Sequence, residues 1–387
     1  MFDVIIVGLG AVGSAAAFQL AQRGISVLGI DRHAPPHALG SSHGDSRITR
    51  VAIGEGEQYT PLVRRSHQIW RELEERTGEE LLNVTGGLII SSDARQATTH
   101  VPNFFENTLA AAKRFGIEHE MLGARELREL FPQFKVRDNE IGYYEPGAGY
   151  LRPEACVRAQ LALAEEQGAR LHRNERVLGV ADAGGIVTVR TDAAEYRARQ
   201  LIVAAGAWLP EFLDSDLARH FTVTRQVHYW FDVAAPIARF QPPNFPVWIW
   251  ELQDQRHVIY GFPAIDGEAG GIKIATEQYA LPAHPDTVSR DVGDDEKRAM
   301  YQNLVAPNFP DVGARCIKAL TCLYTATPDF HFVIDRHPRM PNVVIASPCS
   351  GHGFKHSAAV GEALADMATG SAGKVDLGGF TLGRLGA

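Results

Sequence analysis

Gly8, Gly10 and Gly13 have the spacing that turns a strand tightly into a helix beside a pyrophosphate. Gly8 permits the turn, Gly10 admits backbone close to phosphate, and Gly13 lets the helix pack on the strand. Ala11 and Val12 lie between Gly10 and Gly13, ahead of a helix whose N-terminal N–H groups and partial positive charge favour an anion. Asp31 follows about 20 residues on, where a carboxylate accepts ribose hydroxyls and disfavours a 2′-phosphate. These residues predict a dinucleotide site, without separating FAD from NAD.

Other groups could act on a substrate. Arg47 and Arg50 are three apart and would share a face on a helical turn. Two guanidiniums there suit a substrate carboxylate or flavin negative charge; the alternative is a solvated basic turn paired with Asp45 and Glu55. Lys273 sits between Ile272 and Ile274, and its pattern favours the exposed face of a strand. If buried, it needs a partner or a depressed pKa. Ser350-Gly351-His352-Gly353-Phe354-Lys355 could bring backbone against a ring and a cation to an anion, or be only a tight strand–helix loop. Cys322, in an apolar setting, reads alone as core. The histidines show no metal spacing and no nucleophile–base set stands out, so metal and hydrolase chemistry are not expected.

Elements must position these groups. Val4 to Val7 is a β-branched run for a buried parallel strand; Ala15 to Gln22 reads as a helix, and Ser26 to Ile30 as a second strand. Helices are expected over 62–76, 102–115 and 151–167, a strand over 86–92, and a strand–turn–strand over 170–191. Buried strands are expected at 201–204 and 342–346, the latter followed by a helix from about Ala358. Residues 223–274 alternate aromatic and β-branched residues, as antiparallel strands do. The predicted class is α/β, α+β overall: a Rossmann-like domain over 1–85, 150–220 and 320–387, and a substrate domain with a large antiparallel sheet over 86–149 and 221–319.

The 387 residues are 45% hydrophobic and 22% charged, as in soluble globular proteins. A net charge of -8 disfavours nucleic acid and anionic membranes, and no apolar run spans a bilayer. The N-terminus lacks a secretory n-region. The four cysteines form no CxxC pair, so a reducing, cytoplasmic setting is expected.

Taken together, Ser42-His43-Gly44-Asp45-Ser46-Arg47-Ile48 with Arg50, Tyr260-Gly261-Phe262-Pro263, Cys322-Leu323-Tyr324 and the Ser350–Lys355 motif resemble the monomeric sarcosine oxidase and N-methyltryptophan oxidase family. The resemblance covers nearly the whole chain. It implies FAD, joined by a thioether from Cys322 to the 8-methyl carbon, and a monomer. It implies that Arg50 and Lys355 hold a substrate carboxylate, and that Arg47 and Lys273 lie by the isoalloxazine, with Lys273 assisting O2. Tyr260 and Tyr324 would line the substrate cavity, with His43 near the flavin. Further cofactor contacts are expected at Arg32, Ser41, Ser42, Val177, Ala205, Gly206 and Trp208. Ser350, Gly351, His352, Gly353, Phe354 and Lys355 complete that set.

The implied reaction is oxidation of a secondary amine to an imine that water hydrolyses, with O2 reduced to H2O2 and no metal or nicotinamide. Alternatives are a same-fold dehydrogenase, an oxidase of cyclic imino acids, and a flavin-binding protein without turnover. The chain departs from better-known members at Ile53, Glu277, Pro348 and Cys349, and adds Trp248 and Trp250. Glu277 would repel a simple amino acid, select a second cation, or point to solvent. These positions leave the substrate open.

Overall fold

Val4 to Val7 is buried on both faces within the strand Phe2–Val7, at the centre of an eight-stranded sheet. The structure, a computed structural model, describes residues 1–95, 99–253 and 256–386. Phe2–Val7 pairs in parallel with Val27–Asp31 on one side and Glu195–Val203 on the other. Arg170–Arg173 extends the parallel array beyond Val27–Asp31, and Met340–Ser347 extends it beyond Glu195–Val203. Val177–Ala183 and Ile186–Thr191 add an antiparallel hairpin. The segment 170–191 therefore holds three strands rather than two.

Parallel strands buried on both faces require helices against them. Ala11–Ala21 is buried almost all round because its small residues let other helices come close. A Cβ built on Gly361, in the helix Ser357–Thr369, would lie 2.3 Å from the Ala15 Cβ. Tyr59–Thr77, longer than the expected 62–76, buries one face that includes Trp70 and ends at Gly78 in the left-handed region (φ 70°). Arg65 ties it to Ser357–Thr369 through a two-pronged bond to Glu362, both arms 2.8 Å.

The second sheet also has eight strands, in the order Val312–Ala326, Thr222–Val233, Ile272–Thr276, Val258–Phe262, Val247–Glu251, Gly87–Ser91, Ile141–Glu145, Glu120–Gly123. All pairs are antiparallel except Val247–Glu251 with Gly87–Ser91. Alternation decides what each side chain meets. Trp230, Phe262 and Lys273 share one face, whereas Tyr229, Phe231, Ile272 and Ile274 fill the apolar core on the other. Trp248 and Trp250 also belong to that core, so they are not the substrate-site aromatics their sequence position suggested.

Two other expectations change. Residue 320 lies inside the single strand Val312–Ala326, so Cys322 and Tyr324 belong to the second sheet. Arg47–Thr49 is a strand, paired with Gly149–Leu151, rather than a helical turn. Gly149–Leu151 also pairs with Leu82–Val84 to complete a third, three-stranded sheet, and the following helix begins only at Pro153.

Candidate active site

The Phe2–Val7 strand delivers its glycine turn to one end of a long cavity that opens to solvent. A Cβ on Gly8 would sit 2.4 Å from the Ala204 carbonyl oxygen, and one on Gly13 would sit 1.7 Å from that of Gly8. Only glycine fits either place. Gly13 thus packs helix on strand without touching the cavity, while Gly8, Gly10, Ala11 and Val12 line it. Asp31 holds the turn from the next strand: its carboxylate accepts the N–H of Leu9 (2.7 Å) and of His33 (2.8 Å) and also borders the cavity. Burial raises its pKa against these two bonds.

The other expected cofactor contacts gather around this end. Ser41, Ser42, Val177, Ala205 and Gly206 line the cavity, and Ser42 Oγ accepts the Ala11 N–H at 3.2 Å. Arg32 lies over the Trp208 ring at 5.0 Å, and both bond Asp286. Exposed glycine backbone, a buried Ser41 hydroxyl without a partner among the described residues, and the start of a helix fit a dinucleotide.

Toward the second sheet the lining becomes charged. Lys273 is 2% exposed, so the exposed-face alternative fails. Its neighbours on the adjoining strands are Trp230 and Phe262, and its Nζ lies 5.2 and 4.5 Å from their ring centres. Nζ donates to the carbonyls of Gly44 (2.7 Å) and Ser46 (2.9 Å) and reaches Ser46 Oγ at 3.3 Å. Burial, then Arg47, holds its pKa well below the usual lysine value. The oxygens and ring faces oppose that fall.

Arg47 joins the two halves. Its Nη2 donates to the Ser41 carbonyl (2.8 Å) and to Cys322 Sγ (3.4 Å). Cys322 is fully buried, just behind the cavity wall, with Sγ also 3.5 Å from the Ser41 oxygen. His43 does not reach the cavity either. Burial, then Arg47 and Lys273, depresses its pKa to about 3, so it is neutral.

Tyr260 and Tyr324 line the cavity with hydroxyls 3.0 Å apart, and His228 Nε2 lies 3.3 Å from Tyr260. His228 was not singled out in the sequence; its place in an alternating aromatic strand gave no sign of chemistry. Burial, then Lys273 and Arg47, holds it neutral.

Arg50 and Lys355 converge on Glu55. Arg50 Nη2 donates to Glu55 Oε2 at 2.6 Å, and Lys355 Nζ lies 3.5 Å from Oε1. All three are buried and line the cavity. Burial opposes the Glu55 charge, but Arg50 and Lys355 hold its pKa well below the carboxylate range. Burial lowers Lys355 to about 8 despite Glu55. The basic-turn alternative was right about Glu55 as the partner of Arg50 and wrong about solvent; Asp45 pairs instead with Lys318.

The Ser350–Lys355 motif forms the loop that carries Lys355. Ser350 (φ 44°) turns away from the cavity, its N–H donating to the Thr325 carbonyl at 2.9 Å. Gly351 (φ 86°), His352, Gly353 and Phe354 line the cavity, and a Cβ on Gly351 would lie 2.4 Å from the Tyr279 hydroxyl. Cys349 and Glu277 border the same space; Ile53 does not, being fully buried in the helical core. Among the described residues no His, Cys, Asp and Glu group could hold a metal ion, and no helix is long and apolar enough to cross a membrane.

Comparison with known proteins bears on the family to which the chain belongs. Residues 3–367 match the model of the FAD dependent oxidoreductase family. The chain is 41% identical to a monomeric sarcosine oxidase of Streptomyces avermitilis, covering 100% of this chain and 98% of that one. It is 33% identical to an N-methyl-L-tryptophan oxidase of Yersinia pestis, covering 99% of both. Among solved structures, NikD, described as an unusual amino acid oxidase of nikkomycin biosynthesis, superposes with a TM-score of 0.83 at 22% identity over 98% of this chain and 97% of that one. The fold, the dinucleotide turn and the full-length match agree: the chain belongs to the FAD dependent oxidoreductase family.

Proposed function

We propose that the protein is a flavoprotein amine oxidase that converts an N-methyl amino acid, such as sarcosine or N-methyl-L-tryptophan, to an imine that water hydrolyses, while O2 becomes H2O2. The observation that carries this reading is the convergence of Arg50 and Lys355 on one buried carboxylate beside the dinucleotide site. Two cations against the single Glu55 carboxylate leave one positive charge in excess on the cavity wall, which suits a substrate carboxylate. The names of the full-length relatives support the same substrate class.

FAD, when bound, would supply a two-electron acceptor for the C–H beside the substrate nitrogen and a donor to O2. The chain supplies position and charge. Arg50 and Lys355 fix the acid end of the substrate, which aligns the reacting C–H bond. Arg47, Arg50 and Lys355 disfavour an ammonium, so the amine reacts neutral. The Tyr260 and Tyr324 hydroxyls face the same space. Lys273 offers positive charge to oxygen as it is reduced. Cys322, held against Arg47 and Ser41, would be the residue that tethers the flavin through a thioether. The name of the monomeric relative supports a monomer, and four cysteines without a CxxC pair suit a reducing, cytoplasmic setting.

Anaerobic mixing with N-methyl and cyclic amino acids should bleach the flavin, and air should restore its colour with release of peroxide. Failure of every such compound to bleach it refutes the reading. Acid precipitation should leave yellow colour on the wild-type polypeptide and release it from Cys322→Ala; full release from wild type removes the tether alone.

A further inference from the structure

Glu277 and His100 meet on the wall of the substrate chamber. His100 Nδ1 lies 3.1 and 3.2 Å from the two Glu277 oxygens, and the His100 backbone N–H donates to Oε2 at 3.3 Å. The imidazole is almost wholly buried, and Glu277 is 18% exposed. The second ring nitrogen, Nε2, is buried and has no partner among the described residues. The ring stacks on His352 at 5.5 Å and 15°, and His352 Nδ1 lies 4.0 Å from Glu55 Oε1. His100 therefore stands beside the carboxylate clamp.

A carboxylate on Nδ1 selects the tautomer that carries hydrogen there, and it leaves the lone pair on Nε2. An amino acid in neutral water carries its proton on nitrogen, and that proton must leave before the nitrogen lone pair can assist C–H cleavage. We propose that His100, positioned by Glu277, is the proton acceptor of the chamber, a role that rests on the amine-oxidation reading above. The ammonium N–H bond breaks, its electron pair stays on nitrogen, and the proton goes to His100 Nε2. Glu277 then holds the imidazolium.

The charged and titratable groups around His100 are Glu277, Glu55, Lys355, Tyr279, His352 and His331. Burial disfavours the imidazolium, but Glu277 and then Glu55 outweigh it and raise the pKa, with Lys355 opposing.

The rate constant for flavin bleaching per unit substrate, followed against pH, tests the assignment. In wild type it should rise as His100 loses its proton and then flatten well below the ammonium pKa. His100→Gln should lose about 100-fold at pH 8, within the range general bases contribute. It should then climb tenfold per pH unit without a plateau. Glu277→Gln, which keeps an oxygen acceptor, should move the rise to lower pH. A wild-type profile without a plateau, or an unchanged profile in His100→Gln, overturns the assignment.

Calorimetry with 2-aminoisobutyrate, which has no hydrogen on the carbon beside nitrogen, gives a readout without turnover. Compared in two buffers at pH 8, His100→Gln should release about one proton more than wild type, any uptake at Lys355 being common to both. Equal release overturns the proposal. If no secondary amine bleaches the flavin, the amine-oxidase reading is what fails, and this proton count still decides His100.

Discussion

The dinucleotide turn and the substrate chamber share one cavity but are built differently. The turn is mostly backbone: glycines and a helix start, with its side-chain bonds, Leu9 to Asp31 and Ala11 to Ser42, closing over only 22 and 31 residues. The chamber is mostly buried charge drawn from distant segments. Lys273 reaches Gly44 across 229 residues, and Arg47 reaches Cys322 across 275. A backbone site depends on what cannot be added to it, whereas a charged site depends on which partners the fold brings in. The first should fail as structure and the second as chemistry.

The sharpest break of this contrast is Gly13→Val. Any Cβ there collides with the Gly8 carbonyl, and overpacking of this kind costs about 1–3 kcal/mol or more. Soluble, flavin-loaded protein should be lost, as read by the ratio of flavin to protein absorbance. Normal loading would mean that the turn tolerates side chains.

Lys273→Met should instead leave folding and substrate bleaching nearly intact while slowing reoxidation by O2 about 100- to 1000-fold, the scale of a lost transition-state charge contact. Stopped-flow reoxidation measures it, and an unchanged rate removes Lys273 from that step.

Arg50→Ala should raise the dissociation constant of acid ligands about 10- to 100-fold, since bonds to charged groups are worth about 1.5–3 kcal/mol. In wild type the same constant should be flat below pH 8 and rise above it, because Lys355, depressed to about 8, loses its proton there. A titration flat to pH 10 would exclude Lys355 from the clamp. Trp250→Phe should give the smallest functional effect. It removes the 2.9 Å bond to Glu140 and lowers the melting temperature, with kcat/KM within about twofold, because the ring lies on the core face. A large change in substrate preference would place Trp250 nearer the chamber than its strand face does.

The parity of the strand Val247–Glu251 shows why part of the site was not legible. Trp248 and Trp250 were visible as bulk, but a period of two says only that they share a face. Packing against Phe134 and Phe309 decides that the face is the core and leaves Ile249 toward the cavity. Lys273 was misjudged for the same reason: alternation does not say that both faces of a strand are buried. Glu277 was legible as a departure, but its partner His100 comes from a segment 177 residues away that carried no motif.

By itself the sequence determined the dinucleotide turn, because strand, glycine spacing and acid lie within thirty-one consecutive residues and obey local rules; the α/β class and the family likeness came from element patterns and motifs spread along the chain. It also marked Arg50, Lys355 and Cys322 by motif. Only the tertiary structure decided that Arg50 and Lys355 share the Glu55 carboxylate, that Lys273 is buried against two rings, and that Cys322 lies behind the cavity wall. Charges and thiols take their chemistry from neighbours and from the loss of water, and those are supplied by segments that meet only when the two sheets close on one cavity.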